Sequence, residues 1–278
     1  LREHWFTPAS LVTMVAKYNM HNIDPQIKIQ IFENLAELSK TAAERLAAYT
    51  TDCIGQRGRF TIALAGGNTP RELYRILAQP PIREQIDWFN TYLFFGDERC
   101  VPPDHPDSNY RMVQENLLDF VGIPFANIFR MEGENPDPVV AATNYANLLQ
   151  EFFELESGEG PSPENFPKFD LILLGMGPDG HTASLFPGTA ALQERGHPVA
   201  ANFVPKLNAN RLTLTAPTIN RAEQVWFMVV GEDKAPTLKR VLEGDYQPQT
   251  LPSQLVKPNG GRVYWFVDRA AAAQLGSI

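Results

Sequence analysis

Cysteine is nearly absent from this chain: only Cys53 and Cys100 occur among 278 residues. Two thiols in a chain this long exclude a disulfide framework, and each reads as an ordinary reduced core residue. Basic charge is also scarce. Lys and Arg number 24 against 32 Asp and Glu, for a formal net charge of −8. That balance argues against nonspecific binding to nucleic acid or to an anionic membrane. No apolar run is long enough to span a bilayer. Residues 1–19 lack the basic start and continuous apolar segment of a secretory signal. A cytoplasmic protein is expected. Several reactive patterns are missing too. There is no HExxH, no CxxC and no metal-ligand spacing among the five His, so no metal is expected. The absence of Gly-x-Ser-x-Gly argues against a serine hydrolase. No Gly-Lys-Ser/Thr ending marks a Walker A loop.

The chain does contain a normal core composition, 44% hydrophobic, enough for one large α/β domain. Residues 1–19 precede the first well-patterned segment and read as an N-terminal extension or a processing remnant. Residues 20–278 read as a single domain. Strands are expected at Gln26 to Phe32, Phe60 to Leu64, Thr91 to Phe95, Phe169 to Leu174, Arg211 to Thr215, Val225 to Val230 and Arg262 to Val267. Helical patterns lie between them, at Glu33 to Thr50, Arg71 to Leu77, from near Asn109, Val139 to Leu155 and Lys234 to Leu242. Ser157 to Pro167 reads as a loop. Alternation of this kind predicts a doubly wound, mostly parallel α/β sheet, Rossmann-like and flanked by helices.

The segment Gly175-Met176-Gly177-Pro178-Asp179-Gly180-His181 follows a buried strand. A glycine-rich turn there carries a carboxylate and an imidazole past the strand's carboxyl end, where open α/β sheets bind ligands. Imidazole exchanges protons near neutral pH, and Asp179 is placed to orient it. His4, His21, His105 and His197 have no comparable context. Ser184 reads as a helix-start or packing residue.

Gly66-Gly67-Asn68-Thr69-Pro70-Arg71-Glu72 joins a strand to a helix. Thr69 and Glu72 have capping-box spacing, with Pro70 at the first helical position. Glycines before a helix start make an anion site from backbone N–H groups and the helix dipole. The same pattern also suits a plain strand–helix turn. Asp97-Glu98-Arg99 sits at another strand end, as a proton-handling and oxyanion-steadying group or as a surface turn with a local ion pair. Arg211 and Lys234 gain meaning only if the fold brings them beside Gly66 and Gly67.

These motifs, with Asp107-Ser108-Asn109-Tyr110 and Gly231-Glu232-Asp233-Lys234-Ala235, occur in an order that resembles the glucosamine-6-phosphate isomerase/6-phosphogluconolactonase superfamily. The resemblance runs over roughly Gln26 to Ala272 and is similar to the lactonase branch in particular. It implies a cofactor-free hydrolase that opens 6-phospho-D-glucono-1,5-lactone in the oxidative pentose phosphate pathway. By position it assigns phosphate binding to Gly66, Gly67, Asn68, Thr69, Arg211 and Lys234, and the reacting centre to Asp97, Arg99, Asp179 and His181. Asn68 stands where Ser is common. Isomerases of the superfamily carry Glu where this chain has Phe186 and usually Tyr where it has Arg99; both departures favour the lactonase. The implied partner is a small phosphosugar lactone, with no nucleic acid or membrane. A sugar-phosphate sensor without chemistry is a further reading, but it has no need of Asp179 and His181, and no basic helix-turn-helix is present. No apolar stripe stands out as an interface, so monomer and small homo-oligomer both fit.

Overall fold

The computed structural model describes residues 27–155 and 165–276. The N-terminal extension and most of the loop expected at 157–167 lie outside them. The strands are β1 (Ile27–Phe32), β2 (Phe60–Leu64), β3 (Thr91–Phe95), β4 (Asp97–Arg99), β5 (Leu171–Gly175), β6 (Val199–Val204), β7 (Ala209–Leu214), β8 (Gln224–Val229) and β9 (Arg262–Asp268). The helices are α1 (Leu35–Arg57), α2 (Asn68–Leu77), α3 (Ile82–Gln85), α4 (Asn109–Asn116), α5 (Pro138–Phe152), α6 (Ala216–Ile219), α7 (Ala235–Glu243) and α8 (Arg269–Ala272).

Six strands form one sheet in the order β1-β9-β8-β5-β2-β3, and every pairing in it is parallel. Its central strands are apolar runs such as Phe-Thr-Ile-Ala-Leu in β2, buried at every position. That is the pattern of a sheet covered on both faces. From β2 the chain passes outward to β3, then returns to β5 on the other side of β2. The carboxyl ends of β2 and β5 therefore flank a topological switch point, where a crevice forms.

The expected doubly wound, mostly parallel sheet is present, and two details differ from the sequence reading. The sheet is not the whole β-structure: β4, β7 and β6 make a second, antiparallel sheet of three strands. It was hard to foresee because β4 is only Asp-Glu-Arg, residues with weak strand preference, held by pairing with β7. The first long helix also runs past Thr50 to Arg57, where Gly58 adopts φ 73° and closes it. Its start is set by Asn34, whose side chain accepts the Glu37 N–H.

Candidate active site

The switch-point crevice is a cleft of about 550 Å³. Gly66, Gly67, Asn68, Thr69, Asp97, Arg99, Asp179, His181, Arg211 and Lys234 all line it. The fold thus gathers every candidate site residue into one place, from strand ends far apart in sequence.

The anion loop is built differently from expectation. Thr69 does not cap α2 and the capping box does not form. Gly67 is the N-cap residue, at φ 99°, and no side chain caps the helix. Its left-handed conformation turns the chain into the helix two residues early, which places Pro70 within the first turn and not at its first position. Glu72 instead pairs with Arg75 at 3.7 Å. The uncapped start leaves first-turn N–H groups without intrahelical partners beside the cleft.

The histidine loop is a tight, multiply tied turn. Gly177 N–H donates to the His181 carbonyl (2.9 Å) and Gly180 N–H to the Gly177 carbonyl (3.0 Å). The Thr182 hydroxyl reaches back to the Gly175 carbonyl (2.9 Å). From outside, the Thr237 hydroxyl donates to the Pro178 carbonyl (2.6 Å). Ser253 gives both its N–H (2.9 Å) and its hydroxyl (2.8 Å) to the Gly180 carbonyl. Ala183 is held at φ 45°, in the left-handed region that a side chain disfavours.

Within this frame His181 is fixed on several sides. Its Nδ1 lies 2.5 Å from Asp179 Oδ1. Its ring stacks on Phe186, with centroids 4.0 Å apart and an 18° interplanar angle. A Cβ at Gly177 would collide with the imidazole, so only glycine lets the turn lie against it. Among the described residues Nε2 has no hydrogen-bond partner. With Nδ1 donating to a carboxylate, Nε2 carries the basic lone pair.

Asp179 has a second partner that sequence reasoning missed. Lys206 Nζ donates to its Oδ2 at 2.9 Å. The His181 hydrogen bond, and after it Lys206, hold the Asp179 carboxyl well below the usual carboxylate range, against the opposing effect of burial. Lys206 follows β6, a strand the sequence reading did not identify, and its only local signal was a Pro-Lys-Leu-Asn turn.

Three further cations line the cleft. Arg99 on β4 and Arg211 on β7 are register partners. Burial, and after it the Arg99 charge, push the Arg211 guanidinium below its ordinary value. Arg99 Nη1 donates to the Asp107 carbonyl at 2.6 Å. Lys234 Nζ pairs with Asp233 at 2.9 Å, its side chain 20% exposed. This is the local cationic cluster that an acidic chain needs to hold an anion.

Asp97 is 8% exposed. Its carboxylate accepts the Ser184 hydroxyl at 2.7 Å and the Asn109 amide at 3.2 Å. Ser184 is therefore more than a packing residue. Among the described residues no group of three His, Cys, Asp or Glu side chains is placed to hold a metal ion.

Comparison with known proteins places the chain in a family. The family model described as glucosamine-6-phosphate isomerases/6-phosphogluconolactonase fits residues 33–265. A 6-phosphogluconolactonase of Synechocystis sp. is 41% identical over 251 residues, covering 90% of this chain and 98% of that protein. The human 6-phosphogluconolactonase is 39% identical over 253 residues, covering 89% and 93%. The solved 6-phosphogluconolactonase from Trypanosoma cruzi superposes with a TM-score of 0.79 at 29% identity, covering 92% and 99%. The α/β fold is that of an enzyme superfamily named for sugar-phosphate substrates. The chain belongs to the glucosamine-6-phosphate isomerase/6-phosphogluconolactonase family.

Proposed function

We propose that this cleft hydrolyses 6-phospho-D-glucono-1,5-lactone to 6-phospho-D-gluconate, the lactone-opening step of the oxidative pentose phosphate pathway, with His181 as general base. The observation that carries the reading is convergence. The Asp179–His181 pair, with Nε2 unengaged, lies in one cleft with the uncapped α2 start and a group of cations. Kinship with named 6-phosphogluconolactonases supports the substrate.

The phosphate docks on Gly66 to Thr69, with charge-assisted hydrogen bonds from Arg211 and Lys234. That anchorage aims the C1 carbonyl at His181. Nε2 takes a proton from water as the water oxygen bonds to C1. The carbonyl pair moves onto oxygen, and Arg99 steadies the oxyanion. Asp179 stabilises the imidazolium. Collapse re-forms the carbonyl and breaks the C1–ring oxygen bond, and the ring oxygen takes the proton from His181. The new carboxylic acid then ionises in solvent.

Phe186 argues against the isomerase chemistry of the superfamily. Where a proton-carrying acid would stand, an apolar ring 8% exposed stacks on the base. The enzyme acts as one domain of residues 20–278, in the cytoplasm, on a small phosphosugar lactone. Free Cys53 and Cys100 suit a reducing compartment. No helix among the described residues is long and apolar enough to cross a membrane.

The test generates the lactone in situ and follows acid release, with an enzyme-free blank because the lactone also opens unaided. Acceleration by the wild type, lost in His181→Ala, is expected. No acceleration by folded protein overturns the reading.

A further inference from the structure

The cleft is held by a buried side chain that the mechanism does not use. Asn109, the first residue of α4, is 2% exposed and does not line the cleft. Its amide is wedged between two strand ends. On one side Nδ2 donates to the Asp97 carbonyl at 2.9 Å and to Asp97 Oδ1 at 3.2 Å. On the other side the amide lies against Gly66. A Cβ at Gly66 would overlap Asn109 Oδ1, Cγ and Nδ2. Gly66 does not have a positive φ, so space and not backbone conformation requires glycine there.

The wedge is pinned from behind. Glu98, also 2% exposed, accepts the Asn109 N–H at 2.7 Å, the Tyr110 N–H at 2.8 Å and the Ser108 hydroxyl at 3.1 Å. Beyond Asp97 the path continues through the Ser184 hydroxyl on Oδ2 at 2.7 Å. Ser184 belongs to the histidine loop. Buried contacts thus run without a break from the anion loop to the loop that carries the base.

We propose that Asn109 is a positioning residue that keeps the anion loop and the histidine loop in one register, so that phosphate capture and proton transfer share a single geometry. The inference rests on the lactonase reading above. Asn109 acts through Gly66 and Asp97, and a shift of ~1 Å at a reacting centre costs about 10²-fold in rate.

The test uses Asn109→Ala, Gly66→Ala and the double variant. Each is assayed for lactone hydrolysis and, by calorimetry, for binding of inorganic phosphate. Asn109→Ala is expected to lower kcat about 10²-fold and to weaken phosphate about tenfold, the size of one or two lost hydrogen bonds. Gly66→Ala alone weakens phosphate further, because its methyl displaces the amide. In the double variant the methyl enters vacated space, and phosphate affinity returns to about that of Asn109→Ala. Losses that simply multiply, or an Asn109→Ala protein unchanged in both measurements, overturn the proposal. Ser184→Ala removes only the far end of the path and keeps the question open to test if Asn109→Ala does not fold. It should lower kcat and leave phosphate affinity intact; loss of both, or of neither, also overturns the proposal. A wild type that binds phosphate without accelerating lactone opening would sink the functional reading alone, since the phosphate arm still decides what Asn109 does.

Discussion

Arg99 and Arg211 stand directly opposite each other across the antiparallel β4–β7 pair. Like charges in that position repel, and Arg211 is further penalised by burial. An anion bound in the cleft would offset that repulsion. Arg211→Gln should therefore leave the ligand-free protein as stable as the wild type or slightly more so. The same change should raise KM by about 10- to 100-fold, the worth of a charge-assisted hydrogen bond. A thermal-shift titration with inorganic phosphate checks this: the wild type should gain stability and Arg211→Gln should gain little. Equal gains would remove Arg211 from the anion site.

His181→Ala should cut kcat by about 10²–10⁴-fold, the usual worth of a general base. Phosphate affinity should be unchanged, because the imidazole is not part of the anion loop. Steady-state kinetics beside phosphate calorimetry separates the two effects. A variant that kept its kcat would show that the base lies elsewhere.

Asp179 links the site to acid stability. Its folded-state pKa is depressed by His181 and Lys206, so the unfolded chain binds its proton more readily than the folded one. The resulting stabilisation is fully present above the ordinary Asp value near ~3.9 and is lost as pH falls below it toward the folded value. Asp179→Asn should be less stable than wild type at neutral pH, and the gap should close as pH falls through that window. Denaturant midpoints at several pH values measure it. A gap of constant size would mean that the ion pairs contribute nothing to stability.

The two lysines of the cleft should behave differently. Lys206 is 66% exposed and its pair with Asp179 is open to solvent, so Lys206→Met should change stability by no more than about 1 kcal/mol. Lys234 is 20% exposed and lines the cleft, and with the proposed phosphate role Lys234→Ala should chiefly raise KM. If Lys234→Ala lowered kcat and left KM alone, its place as a phosphate ligand would be wrong.

Phe186→Leu keeps an apolar side chain but removes the face on which the imidazole stacks. The variant should fold, lose about 1 kcal/mol of stability, and turn over more slowly with KM little altered. An unaltered kcat would show that Asp179 and the loop backbone suffice to orient the base.

That the candidate residues share one cleft was legible from sequence because most of them lie at strand ends: Asp179 and His181 sit two residues apart on one glycine-rich turn, and the anion loop is a single strand–helix junction. What was hidden depends on distant pairing. Lys206 meets Asp179 across 27 residues, from the turn that follows β6, a strand whose mixed burial obeys no simple alternation. Ser184 and Asn109 gain meaning only when Asp97 is placed between them. The capping box at Thr69 was a false signal: the residue types were right, but the positive φ of Gly67 started the helix before them. The same limit applies to the second sheet, whose charged strand β4 exists by virtue of its partner.

Among the described residues the first strand of the large sheet pairs with the last. β1 lies at the edge and is joined to β8 and the rest of the sheet only through β9. The fold therefore has a high contact order at its margin, and chain synthesis meets that demand late. A growing chain that has passed Lys234 already carries every residue of the cleft. It still lacks Ser253, which ties down the histidine loop, and β9, on which β1 must wait. Catalytic competence should thus appear abruptly, once β9 has been made, and not accumulate with length.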